Sequence, residues 1–152
     1  MIHSWRLVRG RYVAHAFDGE GARLYGGRWN FPGRPVVYTA GSLALAALEM
    51  LVHLKSRKEL NNYWKVLLTF DESLVRTVAV ADLPPNWHQG RAPQETQAVG
   101  DRWLDERVTP ILCVPSVVIP EEWNYVLNPL HPQFVEIQQG TPEPFTFDPW
   151  LR

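Results

Sequence analysis

The sequence predicts an α+β domain, and three observations carry that prediction. Short apolar runs are set off by Gly, Pro and Asn, the pattern of strands joined by fixed turns. Two longer segments carry helical patterning, and they do not alternate strictly with the strands as a doubly wound parallel sheet requires. Proline is 13 of 152 residues, about 9% against a usual ~5%, and is spread along the chain instead of gathered in a low-complexity linker.

His3–Val8 reads as a first strand, apolar and aromatic with alternating polar positions. Gly19–Gly33 is rich in turn residues. Val36–Thr39, set off by Pro35, reads as a short strand, and Ser42 as the N-cap of a helix over Leu43–Lys58. Tyr63–Phe70 and Leu74–Val80 read as strands, Pro84–Pro93 as a loop, and Gln94–Arg107 as an amphipathic helix. The apolar runs Ile111–Val114 and Ser116–Ile119 are broken by Pro115. Asn128–Pro132 reads as a turn, Phe134–Ile137 as a last strand, and residues 139–152 as a proline-rich tail. No repeat divides the chain, so residues 1–152 are expected to form one domain, as their length also suggests.

Composition narrows the function. Hydrophobic residues are 45% and charged residues 20%, which excludes an intrinsically disordered chain. The net charge of −1 argues against direct, nonspecific nucleic-acid binding, which rests on uncompensated Lys and Arg. The charge is uneven, however: residues 1–35 hold six Arg and two acids, and the remainder of the chain is acidic. A local Arg cluster on a neutral protein suits a small anionic ligand. Cys113, the single cysteine, excludes an internal disulfide, and the five His show no metal-ligand spacing. No run approaches the ~18 apolar residues of a membrane span, and the N-terminus lacks a signal-peptide core. A soluble cytoplasmic protein is the expectation.

Glu49 is the most informative residue, the only charge within Leu43–Val52. A helix so apolar is expected to be largely buried, and an ionised carboxylate on it is unfavourable unless paired. Glu49 either lies on a narrow wet stripe with Leu45 and His53, or sits at the floor of a cleft, where perturbed groups tend to be functional. In Gly26-Gly27-Arg28-Trp29-Asn30 the glycines permit a sharp turn or close backbone approach. Arg28 there is either a surface ion-pair partner or a planar fork for phosphate or carboxylate. Tyr38 is either core or an aromatic face for a ligand. Ser116 lacks a Gly-x-Ser-x-Gly elbow, so it is a poor hydrolase nucleophile and a plausible turn cap. Cys113 reads as a small core residue.

Taken in order, these segments resemble the RES domain family. The likeness rests on Trp5-Arg6-Leu7-Val8, Tyr25-Gly26-Gly27-Arg28-Trp29-Asn30 with Pro32-Gly33, and Val36-Val37-Tyr38-Thr39-Ala40 with Ser42 and Leu48-Glu49. It continues through Pro115-Ser116-Val117-Val118-Ile119-Pro120, Asn124-Tyr125-Val126-Leu127-Asn128-Pro129 and His131-Pro132. Any one piece is weak; the ordered set is specific. The resemblance implies that Arg28, Glu49 and Ser116 are the three residues for which the family is named, and that Tyr38 is its active-site tyrosine.

It further implies an ADP-ribosyltransferase-like fold: a mixed sheet of short strands with a buried helix carrying Glu49. The implied activity is that of a bacterial toxin that degrades NAD⁺ at the nicotinamide–ribose bond, by phosphorolysis or hydrolysis. In that chemistry Glu49 stabilises an oxocarbenium-like ribose, Arg28 holds pyrophosphate or incoming phosphate, Tyr38 stacks on the cationic nicotinamide, and Ser116 hydrogen-bonds substrate. NAD⁺ is then substrate, phosphate a possible co-substrate, and no metal or further cofactor is called for. The implied partner is an Xre-type helix-turn-helix antitoxin that carries the DNA contact, in a hetero-oligomer with more than one toxin chain. Alternatives are a mono-ADP-ribosyltransferase that modifies a protein, and a non-catalytic partner of a DNA-binding repressor.

Overall fold

The computed structural model describes residues 1–54 and 60–151, and these form an α+β structure around one mixed sheet of eight strands. The strands are β1 (Ile2–Arg9), β2 (Val37–Ala40), β3 (Tyr63–Phe70), β4 (Val75–Thr77), β5 (Ile111–Pro115), β6 (Trp123–Leu127), β7 (Gln138–Gln139) and β8 (Glu143–Phe145). Their order is β4-β5-β6-β2-β1-β3-β7, with β8 also on β3. The longest ladder is antiparallel β1 on β3, from Ile2 opposite Phe70 to Arg9 opposite Tyr63. β6 lies antiparallel between β2 and β5, and β4 runs parallel to β5.

Among the described residues three α-helices accompany the sheet: α1 (Glu20–Tyr25), α2 (Leu43–His53) and α3 (Gln94–Glu106). Side chains alternate across a strand, and the core divides accordingly. On one face, α2 seats Leu45, Ala46 and Leu51 against Leu7, Ala40 and Tyr63, while Trp103 and Leu104 of α3 pack on Leu112, Val114 and Val126. On the opposite face Val37, Leu68, Phe70, Ile111 and Leu127 form a third cluster. Arg6 points to that opposite side, donating to the carbonyls of Ala16 (3.2 Å) and Tyr38 (3.1 Å). Burial brings its pKa down to about 10, so it stays cationic while pinning β2 to the Ala16 turn.

The α+β expectation holds, and so does Ser42 as N-cap, its Oγ accepting from the Leu45 amide at 3.0 Å. Several elements differ from the sequence reading. Within the turn-rich Gly19–Gly33 stretch, Glu20–Tyr25 winds into α1, supported by the Glu20–Arg23 ion pair one turn apart. α2 stops at His53, since Leu54 is extended; the rest of the expected helix, from Lys55 on, lies outside the described residues. Of Leu74–Val80 only Val75–Thr77 pairs, because Glu72–Leu74 and Val80–Asp82 coil into 3₁₀ turns. Phe134–Ile137 is likewise no strand: Pro132–Glu136 forms a 3₁₀ helix capped by the His131 ring, which accepts from the Gln133 amide at 3.0 Å.

Strand β6 has no counterpart in the sequence reading, and the Ser116–Ile119 run turns instead of extending. The tail is not loose. β8 pairs with β3, and Phe147 lies buried against Tyr63 with ring centroids 5.3 Å apart. Nor is α2 buried all round: Leu48 and Val52 are 42% and 62% exposed on its outer face. Among the described residues no helix is long and apolar enough to cross a membrane.

Close backbone contact joins α3 to the Arg28 segment. A Cβ added to Gly100 would lie 1.6 Å from the Trp29 carbonyl oxygen, so only glycine fits. Overpacking costs about 1–3 kcal/mol, and backbone on both sides puts Gly100→Ala at the upper end, lowering the melting temperature by several degrees. Gly21 in α1 faces open space, and Gly21→Ala should be neutral or stabilising by up to about 1 kcal/mol. Equal melting of the two variants would contradict this packing.

Candidate active site

Glu49 stands on α2 above the middle of the sheet, and its carboxylate is bound at both oxygens. Oε2 accepts from Ser116 Oγ at 2.9 Å and Oε1 from Asn124 Nδ2 at 3.0 Å. Ser116 is buried at the end of β5, where its backbone N–H donates to the Glu122 carbonyl. Its Oγ also accepts from the amides of Val118 (3.1 Å) and Ile119 (3.3 Å). The one hydroxyl proton and both lone pairs are therefore engaged, which leaves none for substrate in this state. Asn124 Nδ2 also donates to the Thr39 carbonyl at 3.2 Å.

Both partners of the carboxylate are uncharged. Burial pushes the Glu49 carboxyl above its ordinary range; the hydrogen bonds from Asn124 and Ser116 pull it back, His53 assists them and Glu122 opposes. The wet-stripe reading does not describe this residue, because Leu45 is buried and the carboxylate faces donors from β5 and β6.

Arg28 and Tyr38 form a second group. The Tyr38 hydroxyl donates to Asn30 Oδ1 at 2.6 Å and accepts from the Trp29 amide at 3.0 Å. Burial raises its pKa well above the ordinary phenol value, so it remains a donor. This contact requires Gly27, where a Cβ would meet the hydroxyl at 2.6 Å. Asn30 is buried, and its Nδ2 donates to the carbonyls of Ala22, Phe31 and Arg34. From α3, Gln97 Nε2 donates to the carbonyls of Gly27 and Asn30. The Arg28 fork donates to the carbonyls of Trp87 and Gly90, 3.1 Å each, across the loop before α3. Partial burial lowers its pKa from the usual guanidinium value.

The structure thus joins Glu49 directly to Ser116, and brings Arg28 and Tyr38 into one hydrogen-bonded segment. The two groups share the helix-covered face of the sheet, since Tyr38 lies opposite Val126, and Ala40 opposite Asn124. Asn124 and Asn30 are the residues to which sequence reasoning assigned no role. The available signal was an amide inside an otherwise apolar or aromatic run, Trp123–Leu127, and a buried Asn beside the glycine pair. Cys113 is buried with its thiol pushed up to about 11, which makes it a poor nucleophile.

The sequence profile of the RES domain matches residues 3–148. "Toxin Res" of Yersinia enterocolitica is 37% identical over 149 residues, 97% of this chain and 98% of that one. "Prs ADP-ribosylating toxin" of a Sphingobium species is 35% identical over 150 residues, 95% of this chain and 93% of that one. A chain in the crystal structure of the M. tuberculosis MbcT–MbcA toxin–antitoxin complex superposes with a TM-score of 0.76. That match covers 95% of this chain and 84% of the other at 22% identity, and shows a shared fold.

Tyr38→Phe removes a hydroxyl bridging two buried groups, at a cost of about 1–3 kcal/mol; a melting temperature equal to the parent's would contradict the bridge. Glu49 behaves in the opposite sense. Its raised pKa means that the folded state holds the proton more tightly than the unfolded one. That contribution is complete below the unfolded-chain value and is lost as pH rises through the raised one. Glu49→Gln escapes that loss but turns its own NH2 toward one of the two donors, Ser116 or Asn124. Its melting relative to the parent should therefore be best at neutral to high pH and worsen in acid. A loss of about 3–5 kcal/mol instead would reveal a stranded charged partner.

Proposed function

The chain belongs to the RES domain family, and from that premise we propose that it is the toxin of a toxin–antitoxin pair and degrades NAD⁺ at the nicotinamide–ribose bond. The observation that carries the reading is Glu49: a half-buried carboxylate hydrogen-bonded by the neutral donors Ser116 and Asn124, on the sheet face that also holds Tyr38 and the Arg28 segment.

The nicotinamide of NAD⁺ is already cationic. When its ring nitrogen takes the electron pair of the bond to ribose C1′, it departs neutral and needs no general acid. The difficulty lies on the sugar, where positive charge develops. Glu49, with Ser116 and Asn124 each occupying one lone-pair direction, keeps its others for ribose hydroxyls and for that charge. An oxygen of hydrogen phosphate, or of water that gives up a proton to solvent, then bonds to C1′. Arg28 exchanges two carbonyl partners for phosphate oxygens, a stronger, charge-assisted pairing. Tyr38 offers its ring, while its hydroxyl holds the Gly27–Asn30 turn. Ser116, fully engaged, acts through Glu49 and not on substrate.

The partner in this reading is an Xre-type helix-turn-helix antitoxin that covers Arg28, in an assembly holding more than one toxin chain. DNA is reached through the antitoxin, in keeping with a net charge of −1. The Sphingobium relative's name favours a second reading, in which the same bond breaks but a protein side chain takes the ribose.

Incubation with NAD⁺, with and without phosphate, separates the acceptors by product mass. Nicotinamide should appear with ADP-ribose, or with its C1′-phosphorylated form when phosphate is present. Glu49→Gln should retain NAD⁺ binding and lose turnover by ~10²–10³-fold, whereas Arg28→Ala should weaken binding. Unconsumed NAD⁺, or full turnover by folded Glu49→Gln, would refute the assignment; label transferred to protein would favour the second reading.

A further inference from the structure

We propose that Asn124 is a positioning residue for Glu49: its side-chain amide, held by the Thr39 carbonyl, fixes the orientation of the carboxylate. The inference rests on the NAD⁺-cleavage reading for its consequence, though not for its geometry. Nδ2 has two protons, one directed to Glu49 Oε1 (3.0 Å) and the other to the Thr39 carbonyl (3.2 Å). Both partners accept only, so the amide has a single sense; flipped, its oxygen would face two acceptors.

Thr39 is a firm anchor for this arrangement. It pairs with Tyr125 in the β2–β6 ladder, and its Oγ1 lies 2.8 Å from both Ser4 Oγ and the Tyr125 carbonyl. The backbone therefore sets the direction in which Asn124 presents its second proton. A strand position held by ladder bonds on both sides, to β2 and to β5, needs no such side-chain bond for its own stability.

Every element packed against the carboxylate contributes to its ionisation. His53 follows one turn later on α2 and favours the charge; Glu122, before β6 and near Ser42 Oγ (3.4 Å), opposes it. Ser116 donates from the end of β5. Against the cost of burial, the Asn124 bond is the largest favourable influence. Losing it leaves Ser116 as the remaining hydrogen-bond donor to Glu49 among the described residues.

The test uses Asn124→Ala and the isosteric Asn124→Asp in the full chain, with two readouts. The first is the pH dependence of NAD⁺ turnover. The acid limb should move up by about one pH unit in Asn124→Ala, a tenfold change in proton affinity. Activity lost at neutral pH should then return in alkali. In Asn124→Asp the shift should be larger, because two adjoining carboxyls share a proton. The second is the ¹³C titration of the Glu49 carboxyl carbon in ligand-free protein, assigned by its absence in Glu49→Gln. An upward titration shift in folded variants supports the proposal even if the parent fails to consume NAD⁺, an outcome that sinks only the functional reading. Unmoved titration and an unmoved acid limb overturn it, as does loss of the fold in both variants, which would make Asn124 a structural tether.

Discussion

A carboxylate drawn from water and held by neutral donors is the constraint on which the rest of this structure depends. Removing a charged oxygen pair from solvent is unfavourable by several kcal/mol unless hydrogen bonds replace hydration. Glu49 receives those bonds from Ser116 and Asn124, residues far from it in the chain. For both to reach it, β5 must end beside α2, and β6 must lie between β2 and β5. That is the observed strand order. The chain turn after Pro115 serves the same end, because the amides of Val118 and Ile119 fix the hydroxyl that Ser116 presents.

The Arg28 segment is built differently. Among the described residues no carboxylate pairs with Arg28; its partners are the carbonyls of Trp87 and Gly90. The segment gains rigidity from close contact: Gly27 against Tyr38, Trp29 against Gly100, and Asn30 bonded to three carbonyls. In the function proposed above, rigid backbone beneath the Arg28 guanidinium suits a phosphate clamp, because little order remains to be lost on binding. Glu49 on α2 and the Arg28 segment beside α3 thus lie on the same helix-covered side of the sheet, each with its own hydrogen-bond partners.

Legibility in the sequence followed physical range. Elements dictated by local rules were readable: β1 and β3 by alternation, α2's start by Ser42, α3 by its amphipathic pattern. So was the peculiarity of Glu49, since a lone charge in an apolar helix is visible without coordinates. Features set by distant partners were not readable. β6 contains Asn124 and begins with a half-exposed Trp123, so it lacks the run of Val and Ile expected of a central strand; it is a strand because β2 and β5 flank it. β8 and Phe147 looked like tail until Tyr63 supplied a partner. Leu48 and Val52 made α2 read as more deeply buried than it is, since both are exposed on its outer face. For the site, residue types were evident, but the engagement of every valence on Ser116 appears only with its neighbours in place.

The insertion of β6 between β2 and β5 also governs the order of events in time. Val37 pairs with Leu127 and Ala40 with Asn124, contacts of large sequence separation that form slowly because a long loop must close first. A chain emerging from the ribosome at ~5–20 residues per second carries Glu49 for seconds before Ser116 and then Asn124 follow. Throughout that interval α2 has no donors for its carboxylate, and β2 presents an open edge. Until translation has passed Leu127, the Glu49 carboxylate lacks the Ser116 and Asn124 donors that hold it in the folded chain.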